Sequence, residues 1–283
     1  MARVDGATRV FAVLGHPVLH SRSPEMQNAA FCASGLNGVY VALDVPPDRL
    51  ARALEGLHAA GFAGLNLTLP HKEAAVRLCA RLTPEAERAG VVNTLGREET
   101  GWLGHATDGA GFRGWIAESG MRVEGRRVLL LGAGGAARSV ALEVAALGAS
   151  TLTVVSRNGG RAQALIARLR LGDARAMALA GRPLDDTRAA RGAEGFDLLV
   201  RALSTEEVGA SETAWWSALA PGAPVLDLNY GERAGATRER AQRGGRRFED
   251  GLGLLVHQGA ASFEFWTGAA APFGPMREAL GVR

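Results

Sequence analysis

The chain has 283 residues, 47% of them hydrophobic and 22% charged, and a formal net charge of +3. That length accommodates two ordinary domains or one large α/β domain, and that apolar share can fill a buried core. No apolar run is long enough to cross a bilayer, no signal-peptide pattern opens the chain, and the scattered arginines lack interleaved aromatics, which argues against membrane, secreted and nucleic-acid-binding classes and predicts a cytoplasmic protein.

Short β-branched apolar runs alternate with alanine-rich helical stretches. The pattern predicts strands over residues 10–14, 39–43, 64–67, 128–131, 152–155, 197–200 and 225–228, and helices over 48–60, 136–147 and 161–169. Such alternation argues for parallel sheets with helices on both faces. The pattern divides near residue 110: a connecting helix over Asp108–Ser119, a polar turn, then a second α/β unit from Val128. Residues 1-108, joined by C-terminal helices over 252-283, form one expected domain, and residues 109-251 the other. Cys32 and Cys79 read as free buried thiols of a reducing compartment. The histidines show no metal-ligand spacing with them, so no metal site is expected.

Lys72 is the only lysine among 32 basic residues. Arginine holds a charge but does not give up a proton near neutral pH, whereas lysine can. A lone lysine in an arginine-rich chain is therefore either a leftover surface residue or a proton carrier. It lies in the polar run Asn66-Leu67-Thr68-Leu69-Pro70-His71-Lys72, directly after an apolar segment.

The predicted strand Val128–Leu131 runs into Gly132-Ala133-Gly134-Gly135-Ala136-Ala137 and then a helix. This is the strand–turn–helix setting of a dinucleotide site. Gly132 would allow the tight turn, Gly134 would let the backbone approach a pyrophosphate, and the helix N-terminus would offer N–H groups to it. After the next predicted strand comes Ser156-Arg157-Asn158, then Arg161, with no carboxylate. Arginine there favours a 2′-phosphate and hence NADP over NAD. Read alone, the two arginines could also be solvated residues at a helix start.

Further polar residues stand at element ends. Ser23 can cap a helix that begins at Pro24, a role that leaves Ser21 unexplained. Asn93, Asp108, Tyr230 and Gln258 each read singly as cap, turn or surface residues.

Together and in this order, the pieces S-R-S-P, N-L-T-L-P-H-K, V-V-N-T, T-D-G-A-G-F, G-A-G-G-A-A, S-R-N-x-x-R-A, D-L-N-Y and G-L-G-L-L-V-H-Q-G-A resemble the shikimate dehydrogenase family, over residues 21–260. The resemblance implies an α/β chain of two domains, an N-terminal α/β substrate domain and a Rossmann-type doubly wound dinucleotide-binding domain, with a cleft between them. It implies NADP-dependent reduction of 3-dehydroshikimate to shikimate, in aromatic amino-acid biosynthesis, by a monomer or homodimer. By position, Lys72 and Asp108 would be the catalytic pair. Ser21 and Ser23 would hold the substrate carboxylate, and Thr68, Asn93, Tyr230 and Gln258 would orient the ring. Gly132, Ala133, Gly134, Gly135 and Ala136, with Ser156, Arg157, Asn158 and Arg161, would hold the cofactor, and Leu228 and Gly251 would line its nicotinamide end. The alternatives are a quinate/shikimate dehydrogenase with relaxed NAD/NADP use and a non-catalytic paralogue that binds shikimate or nucleotide.

Two places depart from the family pattern. Ala106 stands where an asparagine usually precedes the Thr-Asp pair. After the strand over 197–200 the family usually has N-A-T or N-A-S, and this chain has Arg201-Ala202-Leu203-Ser204. Arg201 is expected either to contact a phosphate or to point to solvent.

Overall fold

The computed structural model describes residues 4–171, 177–193 and 195–282. They divide into two compact units, one of Met1–Gly111 with Leu255–Arg283 and one of Phe112–Leu254.

The first unit carries β1 (Arg9–Gly15), α1 (Ser23–Ala33), β2 (Gly38–Asp44), α2 (Leu50–Ala59), β3 (Gly64–Leu67), β4 (Arg81–Leu82), α3 (Pro84–Ala89), β5 (Thr94–Glu98) and β6 (Gly101–His105). These strands make a six-stranded sheet in the order β2-β1-β3-β5-β6-β4. β1 pairs parallel with β2 and β3, but β5 pairs antiparallel with both β3 and β6. The expected parallel pairing holds for β1 with β2 and β3 and for β4 with β6, and β5, which the sequence pattern does not predict, makes the sheet mixed. Glu98 pairs with Gly101, and so tight a turn reverses the chain and makes β5 and β6 a hairpin.

The second unit follows helix α4 (Asp108–Ser119), within which the chain leaves the first unit. It carries β7 (Arg127–Leu131), α5 (Gly135–Ala146), β8 (Thr151–Ser156), α6 (Gly159–Leu171), β9 (Ala178–Pro183), α7 (Thr187–Gly192), β10 (Leu198–Arg201), α8 (Ala210–Trp216), β11 (Val225–Asp227), α9 (Gly235–Arg243) and β12 (Phe248–Asp250). The sheet order is β12-β11-β10-β7-β8-β9, with every pairing parallel. This is a doubly wound Rossmann order, whose direction reverses between β7 and β10. Both faces of β7 are covered, so Val128, Leu129, Leu130 and Leu131 are all fully buried.

Helices α10 (Leu252–Thr267) and α11 (Phe273–Ala279) end the chain, which re-enters the first unit within α10. Trp266 shows why this stretch packs where it does. Its indole Nε1 donates to the Leu95 carbonyl at 3.0 Å, and its ring lies where a Cβ on Gly64 would come within 2.5 Å. Phe263 packs on Phe31 with ring centroids 5.4 Å apart. Truncating an aromatic so enclosed costs about 3–5 kcal/mol.

The cysteines differ from expectation. Cys32 is exposed and Cys79 half-buried. The Cys79 thiol donates to the Ala75 carbonyl, and burial pushes it up to about 12, so it is not a thiolate. Among the described residues no helix is long and apolar enough to cross a membrane, and no three His, Cys, Asp or Glu side chains gather as a metal cage.

Candidate active site

Lys72 lies in a turn fixed by backbone bonds on both sides. Thr68 N–H donates to the Leu14 carbonyl, His71 N–H to Thr68, and Val92 N–H to the carbonyl of Lys72 itself. The neighbouring His71 is buried, and its Nε2 lies 2.8 Å from the Val45 carbonyl. Burial holds this imidazole below its ordinary pKa, with the hydrogen bond to Val45 acting weakly against that.

Lys72 Nζ donates to Asp108 Oδ2 at 2.6 Å, with the two side chains 15% and 5% exposed. Asp108 is the first residue of α4, where helix N–H groups favour a negative charge. Its other oxygen, Oδ1, accepts from Asn93 Nδ2 at 3.1 Å. Asn93 is held in turn: Oδ1 accepts from Thr107 N–H at 2.7 Å, and Nδ2 also reaches Thr107 Oγ1 at 2.8 Å and Gln258 Oε1 at 3.3 Å. The structure thus brings together Lys72, Asp108, Asn93 and Gln258 from four separate stretches of chain. Gly111 makes room for this, because a Cβ there would lie 2.6 Å from that of Gln258. Ala106 is buried and leaves both bonds to Asp108 intact, so its departure from the family pattern costs the pair nothing.

A chain of buried polar groups lies beneath the pair, and sequence reasoning assigned it no role. Tyr40 OH donates to Asn66 Oδ1 at 2.7 Å, and Asn66 Nδ2 reaches Ser262 Oγ at 3.0 Å and Thr94 Oγ1 at 3.1 Å. The hydroxyls of Thr94, Thr107 and Ser262 lie 2.8–3.2 Å from one another. The available signal was a polar residue inside an apolar run, as with Asn66 between Leu65 and Leu67.

Ser23 does not cap its helix. The cap position of α1 is Arg22, and no side-chain capping bond forms. Burial pushes the Tyr40 phenol well above its ordinary value, with the Ser23 hydroxyl acting against that. Ser21 Oγ accepts from Ser23 N–H at 3.3 Å. Thr68 is half-buried, its methyl against Gly15, where a Cβ would lie 2.4 Å away.

In the second unit, Gly132 has φ +123° and a Cβ there would meet the Ala202 carbonyl at 2.5 Å, so glycine is required twice over. A Cβ at Gly134 would meet no protein atom within 4 Å. Protein packing therefore does not demand that glycine, and close approach by a ligand does explain it. Gly134 is the cap position of α5 and makes no side-chain capping bond to the helix start at Gly135 and Ala136. Ser156 ends β8 and is buried, while Arg157 and Arg161 are exposed. Asn158 Oδ1 accepts from Arg161 N–H at 3.3 Å, and the Arg161 guanidinium reaches back to the Ala133 carbonyl at 3.4 Å. These groups fit a nucleotide with a phosphorylated ribose. Leu228 follows β11, and a Cβ on Gly251 would lie 2.2 Å from the Leu228 carbonyl, so packing alone explains Gly251. Tyr230 is half-buried after that strand.

Both expectations for Arg201 fail. Its side chain is wholly buried and ion-paired with Glu212 at 2.8 Å and Asp227 at 3.2 Å.

Residues 13–95 match the model of a shikimate dehydrogenase substrate-binding domain, and residues 251–280 that of a shikimate 5'-dehydrogenase C-terminal domain. The chain is 42% identical to the NADP(+) shikimate dehydrogenase of Geobacter metallireducens, over 97% of this chain and 96% of that one. Shikimate 5-dehydrogenase from Thermus thermophilus, solved with NADP(H) and shikimate, superposes with a TM-score of 0.80 at 34% identity, covering 96% of this chain and 98% of its own. The Listeria monocytogenes protein, solved with shikimate and NAD, gives 0.83 at 27% identity, over 99% of both chains.

Proposed function

The chain belongs to the shikimate dehydrogenase family, and on that premise we propose that it catalyses the reversible NADP-dependent reduction of 3-dehydroshikimate to shikimate. The observation that carries this is the only lysine of the chain, with its ammonium 2.6 Å from a buried carboxylate at a helix start.

NADPH, when bound, supplies the hydride that adds to the ketone carbon. The carbonyl oxygen then bears the developing negative charge and needs a proton. Lys72 Nζ donates that proton, and in the reverse direction takes it from the alcohol. Asp108 Oδ2 holds the ammonium in place and offsets its charge, while Asn93 keeps Asp108 from turning by occupying Oδ1. Ser21 and Ser23 bind the substrate carboxylate, and Thr68, Asn93, Tyr230 and Gln258 fix the ring hydroxyls. Gly132 to Ala136 take the pyrophosphate, and Ser156, Arg157, Asn158 and Arg161 the phosphorylated ribose. Arg157 is exposed, and so is Arg161, which lies beside the glycine turn. This favours NADP, because guanidinium groups bind a phosphate in bidentate fashion. Leu228 and Gly251 border the nicotinamide end.

The test is NADPH formation by the purified protein with shikimate and NADP, with quinate and NAD in parallel. Turnover confined to shikimate and NADP supports the reading. Equal rates with quinate or NAD would favour the relaxed enzyme, and shikimate binding without turnover a non-catalytic binder.

A further inference from the structure

Arg201 is the last residue of β10, and β10 is the neighbour of β7 at the point where the sheet order reverses. In this fold a nucleotide lies outside the carboxyl ends of the strands at that point. The two strand ends are locked together. Ala202 N–H donates to the Leu131 carbonyl at 2.7 Å, and the Ala202 carbonyl occupies the space that a Cβ on Gly132 would need. The loop after β10 therefore sets the back wall of the glycine turn.

Each nitrogen of the Arg201 guanidinium has an acceptor. Nε donates to Glu212 Oε1 at 2.8 Å and Nη1 to Asp227 Oδ2 at 3.2 Å. Nη2 reaches the backbone carbonyls of Thr205 at 2.8 Å and Glu207 at 3.2 Å, on a loop whose side chains from Ser204 to Glu207 are exposed. Asp227 Oδ1 in turn accepts from Asn229, and Asn229 Nδ2 donates to the Leu203 carbonyl at 2.8 Å. A buried ion cluster adds little to stability compared with apolar residues of the same size. What apolar residues could not do is donate to two loop carbonyls from inside the sheet.

We propose that Arg201 is a positioning residue for the cofactor: with Glu212 and Asp227 as its counter-charges, it clamps loop 202–207 against the glycine turn and so shapes the NADP site. The proposal rests on the NADP reading above. It assigns the departure from the small polar family pattern to a rebuilt brace in place of a lost contact.

The experiment uses two variants. Arg201→Lys keeps the charge but has no planar fork to span Glu212 and the loop carbonyls. Arg201→Met with Glu212→Gln removes equal and opposite charges, and the glutamine oxygen still accepts from Trp216 Nε1, now 3.1 Å from Glu212 Oε1. The latter variant keeps the test valid if the former does not fold. Calorimetric titration with NADP and steady-state kinetics are run on each folded variant. The expected result is NADP affinity at least about tenfold weaker and a matching rise in KM for NADP. At saturating NADP, kcat stays within about threefold and KM for shikimate within about twofold. A folded variant that binds NADP as the unaltered protein does, or whose only defect is a lower melting temperature, overturns the positioning role. If the unaltered protein itself binds no NADP, the cofactor reading falls and takes this role with it.

Discussion

Two buried ion clusters sit in the two units, and they are built for opposite ends. Lys72 and Asp108 make one 2.6 Å contact, and the lysine side chain is 15% exposed. Arg201, Glu212 and Asp227 are 0–2% exposed, and the arginine spends donors on carboxylates and on the backbone alike. The first cluster can pass on a proton because lysine is a point donor that exists in two protonation states. The second cannot, because its cation never deprotonates. The contrast explains how a chain that writes arginine nearly everywhere keeps one lysine: arginine serves wherever a charge must hold a shape, and fails where a proton must move.

The largest expected effects break the two clusters separately. Asp108→Asn should lower kcat by about 10²-fold, as loss of a group that orients a general acid does, with the melting temperature nearly unchanged. Glu212→Ala should do the reverse. It leaves a buried guanidinium short of a counter-charge, which costs about 3–5 kcal/mol of stability by chemical denaturation, while kcat at saturating NADP stays within about threefold. Like phenotypes for the two variants would erase the distinction.

Asn93→Ala sharpens the first cluster. It removes the bond that holds Asp108 Oδ1, a charged hydrogen bond worth about 1.5–3 kcal/mol, so kcat/KM for shikimate should fall by at least about tenfold. Arg157→Ala bears on the second unit. KM for NADP should rise by about tenfold and KM for NAD by less than about twofold, and an equal rise in both would remove Arg157 from phosphate recognition.

The smallest effect is a pH dependence beside the lysine. Buried His71 titrates below its ordinary value, so the unfolded chain binds more protons than the folded one as pH falls from about 6.5. His105 and His257 shift the same way, also through burial. Stability is therefore whole above that pH and erodes beneath it. Denaturation at about pH 5.5 should show lower stability than at about pH 7.5, and His71→Gln should make the loss smaller.

Local pattern carried the strand–turn–helix of the glycine turn and the polar stretch around Lys72, because period and turn chemistry are short-range properties. It missed what depends on partners far along the chain. The β5–β6 hairpin hangs on a tight turn at Glu99 and Thr100 whose flanks lack a strong strand signal. Ser23 looked like a cap because its neighbours in sequence allow one, yet the helix takes Arg22 as its cap position and no side-chain capping bond forms. Ser262 lies 168 residues from Thr94 and 196 from Asn66, and only folding brings the three together. Arg201 could not be placed because its counter-charges lie 11 and 26 residues away. A buried cation is readable only once its carboxylates are in view.

The most direct measurement is the steady-state kcat of Lys72→Arg with shikimate and NADP, beside its melting curve. The account predicts an intact fold and a kcat lower by at least about 10²-fold, because the charge beside Asp108 is kept and the transferable proton is lost. A folded Lys72→Arg protein that turns over near the rate of the unaltered enzyme would contradict it and take the lysine out of the chemistry.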